Sequence, residues 1–191
     1  GAPIPTGQTC GKALYNAAVL VYRGERQVQA KSLLPSYDVF DETRYFATPP
    51  QRRIIPFRGQ NLGLSICEDA WSQYREKNLY SLYPINPIQD LARQGATCLV
   101  NISASPFYCG KEQIRFDLIR QHCLDHQLPF VYVNQVGGND ELVFDGCSLV
   151  VNQRGELIKQ LPAFAEAVET VDLAAPGAPI LFQPLDKIAS V

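Results

Sequence analysis

The chain has no methionine, one tryptophan and two histidines in 191 residues. The missing methionine includes the initiator, so the sequence does not begin at a translation start and reads as processed or truncated at its N-terminus. No apolar run approaches the ~20 residues that a membrane-spanning helix needs, and no basic segment leads into an apolar one as in a secretory signal. There is no G-x-G-x-x-G or Walker-type phosphate loop. The six cysteines (Cys10, Cys67, Cys98, Cys109, Cys123, Cys147) form no C-x-x-C pair and no Cys/His cluster with zinc spacing, so no metal site is expected. Without a secretory signal they read as reduced thiols of a cytoplasmic protein. A large charge of one sign is lacking too. Lys and Arg total 17 against 19 Asp and Glu, and the net charge of −2 gives no electrostatic case for nucleic acid or an anionic membrane as partner.

What is present is an ordinary globular balance, 46% hydrophobic and 19% charged, with enough chain for one core. Residues 1–12 read as a Gly/Pro/Thr-rich loop. Residues 13–23 and 26–31 read as strands joined by a tight turn at Gly24-Glu25, a hairpin ending in Lys31. Residues 32–50 carry aromatics and charges without period, and an aromatic loop of that length is expected to be functional. An apolar strand runs to Cys67, and residues 72–87 are irregular. A helix at 88–94 is closed by Gly95, and residues 97–101 form a buried strand. Residues 111–127 have Ile114, Leu118, Ile119 and Cys123 on one face, the spacing of an amphipathic helix. Strands are expected at 129–134, 145–151, 157–161 and 168–172, with Gly137-Gly138 as loop and Asp140-Glu141 as a polar turn. The alternation of strands and helices predicts an α/β layered fold.

Chemistry-bearing residues fall at strand ends: Lys31, Cys67, Ser103 and Ser105 after Asn101, and Asn134. Ligands gather beyond the carboxyl ends of strands in such folds. Cys67 is the candidate nucleophile, against the plain alternative of a small buried core residue. Glu68 and Asp69 would disfavour its thiolate, and Lys31 is the cation that would offset them. His122 and His126, four apart, resemble a metal pair but lack the intervening glutamate, and read as a half-exposed helix face.

Longer strings carry a resemblance. Lys31-Ser32-Leu33-Leu34-Pro35-Ser36-Tyr37-Asp38-Val39-Phe40-Asp41-Glu42-Thr43-Arg44-Tyr45-Phe46, Ile66-Cys67-Glu68-Asp69-Ala70-Trp71, Asn101-Ile102-Ser103-Ala104-Ser105-Pro106-Phe107 and Val133-Asn134-Gln135-Val136-Gly137-Gly138 with Asp140 to Gly146 appear in this order. They resemble the nitrilase-type (carbon–nitrogen hydrolase) glutaminase domain of glutamine-dependent NAD⁺ synthetases. That resemblance implies a nitrilase-like four-layer α-β-β-α sandwich, here lacking its first strand and helix. It makes Cys67 the nucleophile on the glutamine side-chain amide, with the Glu68 backbone N–H and Lys31 holding the oxyanion and Glu42 as the supporting glutamate. Tyr37, Glu68, Ser105 and Lys111 take positions that hold glutamine. Residues 1–175 are then a partial glutaminase domain, and residues 176–191 a linker toward an absent synthetase domain. No cofactor is expected in this chain, ATP and Mg²⁺ belonging to that absent domain. The synthetase domain would receive the ammonia, and a homo-oligomer is implied.

One departure concerns the base. The family's triad glutamate lies on an early F-P-E strand end, whereas the sole glutamate before Lys31 here is Glu25, at the hairpin turn. Losing a general base costs about 10²–10⁴-fold in rate, so the chain alone is expected to be impaired or inactive. The rival readings are a stand-alone nitrilase-family amidase and a non-catalytic remnant.

Overall fold

The structure is a computed structural model that describes residues 1–72, 83–175 and 177–185. Residues 73–82, within the irregular 72–87 stretch, lie outside it, as do residues 176 and 186–191 of the expected linker. The chain divides into two compact units, Gly1–Ala96 and Thr97–Val191.

In the first unit a three-stranded antiparallel sheet has the order β1 (Ala2–Pro5), β2 (Leu14–Tyr22), β3 (Glu25–Ala30). The opening segment is therefore a strand and not the expected loop, pairing Ala2 with Ala17 and Pro5 with Leu14. Its prolines lack an N–H, which an edge strand tolerates, and Pro3 and Pro5 are the exposed members of the alternation. The β2–β3 turn is centred on Arg23-Gly24, one residue earlier than expected, and both have positive φ (51° and 83°) as a two-residue hairpin with right-handed twist requires. A second hairpin that sequence patterning had not marked, β4 (Ile55–Phe57) and β5 (Gln60–Ile66), turns on Arg58-Gly59 in the same way.

The loop from residue 32 to 50 is ordered by its own backbone: Glu42 N–H donates to Pro35 O at 3.0 Å and Ala47 N–H to Leu14 O at 2.8 Å. It contains one short helical turn, α1 (Glu42–Tyr45). Helix α2 (Pro87–Arg93) starts on Asn86, whose side chain accepts the Gln89 N–H, and buries Ile88 and Leu91. Gly95, at φ 90°, ends it as the sequence predicts.

The second unit is a β–α–β crossover with added strands. Strand β6 (Cys98–Ser103) and β7 (Phe130–Asn134) run parallel with α3 (Lys111–His126) between them, and β10 (Leu149–Val151) and β11 (Leu157–Gln160) add antiparallel. Leu118, Ile119 and Cys123 pack with Phe130, Tyr132, Leu149 and Val151 as the core. The buried face of α3 keeps the helical period but not the expected polarity. Arg115 and His122 lie fully buried on it, Arg115 ion-paired with the equally buried Asp145. His122 is not half-exposed as predicted: its ring stacks on Phe130 at 5.9 Å.

Two further expectations are corrected. Gly137-Gly138 lies within β8 (Val136–Asn139), which pairs with β9 (Leu142–Asp145) across a turn at Asp140-Glu141, where Asp140 has φ 51°. Residues 168–172 form no strand: Val168 is fully exposed, and Glu169 instead pairs with Lys159 at 3.0 Å. Among the described residues no helix is long and apolar enough to cross a membrane.

Candidate active site

Strand β5 runs directly into a 3₁₀ turn, Cys67–Ala70. Cys67 takes φ 42°, a left-handed conformation that a non-glycine residue adopts only when its surroundings impose it. A sharp strand-to-helix turn of this kind presents a nucleophile at the strand's end. Ser65, Ile66, Glu68, Asp69 and Ala70 are all buried, while Cys67 is half-exposed, the one residue of the stretch that solvent reaches. The thiol can thus meet a ligand on a turn whose other side chains are fixed.

What fixes them is a set of hydrogen bonds to two carboxylates. Asp69 is 2% exposed and accepts three backbone N–H groups: Oδ1 takes Ser32 and Leu33, each at 2.9 Å, and Oδ2 takes Ile66 at 3.0 Å. Burial pushes its pKa up to about 6, opposed by these three N–H donors and by the charge of Lys31. Glu68 is 6% exposed, and each of its oxygens accepts a phenol: Oε2 from Tyr37 and Oε1 from Tyr83, both at 2.8 Å. The pKa of each phenol is driven upward by burial first and then by the charge of Glu68 and the hydrogen bond to it. Both rings therefore remain donors at neutral pH. The charge of Cys67 acts on both phenols in the same direction, which puts thiol, phenols and carboxylate in one neighbourhood. Among the described residues no ammonium or guanidinium lies within 4 Å of Glu68.

Lys31 directly follows β3 and is 1% exposed, so it is not the solvated strand-end charge that a lone lysine usually is. Its Nζ meets Glu42 Oε1 at 2.5 Å, and Glu42 Oε2 accepts Asn16 Nδ2 at 3.3 Å. The aromatic loop thus returns Glu42 to the lysine, and β2 supplies Asn16 to hold it. Glu25 stands exposed at the turn end of β3, away from any such arrangement.

Five of the seven residues singled out from the sequence (Lys31, Tyr37, Glu42, Cys67 and Glu68) belong to this first-unit constellation. Ser105 and Lys111 belong to the second unit. There Ser105 is buried, its N–H donating to Asn134 Oδ1 at 2.9 Å, while the Asn134 amide also donates to Gly146 O at 3.0 Å. Lys111 opens α3 with its ammonium over the Tyr108 ring at 4.9 Å. Sequence reasoning missed Tyr83, Asn16 and the bonding role of Asp69. Tyr83 sits in a stretch without period, and nothing local announces its bond to a residue fifteen positions earlier. Among the described residues no group of three or more His, Cys, Asp and Glu is placed to hold a metal ion.

The chain is 43% identical over 170 residues to the glutamine-dependent NAD(+) synthetase of Synechocystis sp., covering 86% of this chain and 30% of that protein. A solved glutamine-dependent NAD⁺ synthetase from Acinetobacter baumannii superposes with TM-score 0.75 at 36% identity, over 86% of this chain and 29% of that one. A carbon-nitrogen hydrolase from Helicobacter pylori superposes with TM-score 0.67 at 26% identity, over 80% and 55%. The chain therefore spans about 30% of the length of the curated relative. The fold is the α/β type of the nitrilase superfamily. With the carbon-nitrogen hydrolase family model matching residues 4–178, the chain belongs to the carbon-nitrogen hydrolases.

Proposed function

We propose that this chain is the glutaminase portion of a glutamine-dependent NAD⁺ synthetase, hydrolysing the side-chain amide of glutamine through a cysteine thioester. The observation that carries the reading is Glu68. A buried carboxylate with two neutral donors and, among the described residues, no cation within 4 Å is costly unless a ligand supplies the positive charge. It sits one residue from the half-exposed thiol, so the ligand it favours is an amide that also bears an ammonium group. Glutamine fits, and simple amides do not.

In this reading the Cys67 sulfur attacks the amide carbon, and the developing oxyanion is held by the Glu68 backbone N–H and the Lys31 ammonium. The C–N bond breaks, ammonia leaves with the proton that the thiol gave up, and water hydrolyses the thioester to glutamate. Glu42 orients Lys31. Tyr37 and Tyr83 aim Glu68. Residues 1–175 act as the glutaminase and residues 176–191 lead toward a synthetase domain, which takes the ammonia and uses ATP and Mg²⁺ to amidate deamido-NAD. We place the activity in the cytoplasm and in a homo-oligomer. Because Glu25 is the sole glutamate before Lys31, turnover by these 191 residues alone is about 10²–10⁴-fold below that of a domain with its general base.

Ligand protection tests the reading without needing turnover. Glutamine should slow the alkylation of Cys67 by a small neutral haloacetamide, while propionamide at the same concentration should not. Equal protection by both amides would favour a general amidase, and protection by neither would remove the substrate site.

A further inference from the structure

We propose that Asp69 is a positioning residue that sets Lys31 at its working distance from Cys67. The proposal rests on the reading of Lys31 and Cys67 as a functional pair. The Asp69 carboxylate bridges two segments that are far apart in sequence. Oδ1 accepts the N–H groups of Ser32 and Leu33, the two residues that follow Lys31, and Oδ2 accepts the N–H of Ile66, the residue that precedes Cys67. The lysine and the cysteine are therefore each one residue away from a backbone N–H that the same carboxylate accepts.

A helix-capping role explains only part of this. Capping accounts for the bond to Ile66, at the start of the 3₁₀ turn, and says nothing of the two bonds to the strand end of Lys31. The donor pattern also selects the residue type. Three N–H groups converge on Asp69, two on one oxygen and one on the other, so both oxygens must accept. An asparagine would turn an NH₂ toward one of those donors. Water, which could substitute, is kept out: Asp69 is 2% exposed, and Lys31 and Ser32 are buried beside it. Lys31 is further tied through its backbone N–H to Asn16 O at 2.7 Å and through Nζ to Glu42. Those two bonds fix it within its own sheet and loop; the Asp69 bridge is what refers it to the elbow that carries the thiol.

A double-mutant cycle on the full 191-residue chain tests this. The readout is the second-order rate of Cys67 alkylation by a chloroketone analogue of glutamine, followed by mass spectrometry. It is measured for the native chain, Asp69→Asn, Lys31→Gln and the double variant, with cooperative unfolding checked for each. Asp69→Asn should slow alkylation about tenfold or more when Lys31 is present, since small displacements of a reacting group cost that much, and less than about twofold when Lys31 is already glutamine. Equal factors in the two backgrounds would reduce Asp69 to a capping residue and overturn the proposal alone. A Lys31→Gln chain that alkylates as fast as the native one would overturn the Lys31–Cys67 pairing and this proposal with it. Should Asp69→Asn fail to fold, Asp69→Glu, which keeps the charge and changes the reach, is read in the same cycle with the same expectations.

Discussion

Replacing Glu68 by glutamine keeps the side chain's shape and removes its charge, which isolates what the carboxylate does. In the native site two phenols at 2.8 Å hold an anion with no cation within ion-pair distance among the described residues. If the ligand brings an ammonium there, the variant loses a charge-assisted hydrogen bond worth about 1.5–3 kcal/mol, or about 10- to 150-fold in rate or affinity. The assay compares two reagents on Cys67: a glutamine-like electrophile with a free ammonium, and a neutral haloacetamide of similar reach. The Glu68→Gln chain should react about 10- to 150-fold more slowly with the first and within about threefold of native with the second. A second readout comes from the phenols. The charge of Glu68 helps to raise both pKa values, so the ultraviolet titration of Tyr37 and Tyr83 should move back toward ordinary tyrosine, partway only, because burial is the larger cause. Equal slowing toward both reagents would refute the reasoning, since Glu68 would then be shaping the elbow and not reading a cation.

Thiol reactivity should sort by environment. Burial pushes Cys98 up to about 11 and Cys123 and Cys147 up to about 12, so brief alkylation at pH 8 should spare these three while labelling Cys67 and the exposed Cys10 and Cys109; peptide mapping decides. Arg115→Leu leaves Asp145 fully buried without its guanidinium and should cost about 3–5 kcal/mol in urea unfolding, most of it regained when Asp145 is made leucine as well. A loss below about 1 kcal/mol would show that Asp145 finds another partner or solvent. Asp69 also has a pH signature. Its folded pKa of about 6 stands above the ordinary carboxylate value of 3.8, so its contribution favours folding below the lower value and is lost as pH rises to about 6. The stability of the native chain relative to Asp69→Asn should therefore fall between about pH 4 and 6 and then level off. A difference that rises over that interval would contradict the assigned shift.

Period and punctuation were enough to find β2, β3, β5, α2, α3 and β7 to within a residue or two, because each has a local cause such as a tight hairpin turn, a helical period or a glycine after the helix. The failures share a different origin. Strand β1 reads as loop because prolines argue against strands, and only its place at a sheet edge makes Pro3 and Pro5 acceptable. Gly137-Gly138 lacks side chains to show a period, yet pairs with Phe144 and Val143 in a ladder. On α3 the buried face holds Arg115, whose partner Asp145 lies thirty residues away, and nothing local announces such a pairing. The site divides in the same manner. Lys31, Glu42, Cys67, Glu68 and Tyr37 were legible as motif strings, whereas Tyr83 and Asp69 gain their roles through bonds that span 15 to 37 residues. The left-handed φ of Cys67 is likewise set by its surroundings and not by its own preference.

The central claim is that Cys67 is a nucleophile in a glutamine-shaped site whose general base is not among these residues. The most direct measurement is labelling of the 191-residue chain by a chloroketone analogue of glutamine, with release of ammonia from glutamine recorded on the same sample. The account predicts stoichiometric label on Cys67, blocked by glutamine, alongside turnover about 10²–10⁴-fold below that of a domain with its base. Label spread evenly over Cys10, Cys67 and Cys109 without protection by glutamine would contradict the site, and turnover equal to an intact domain's would contradict the missing base.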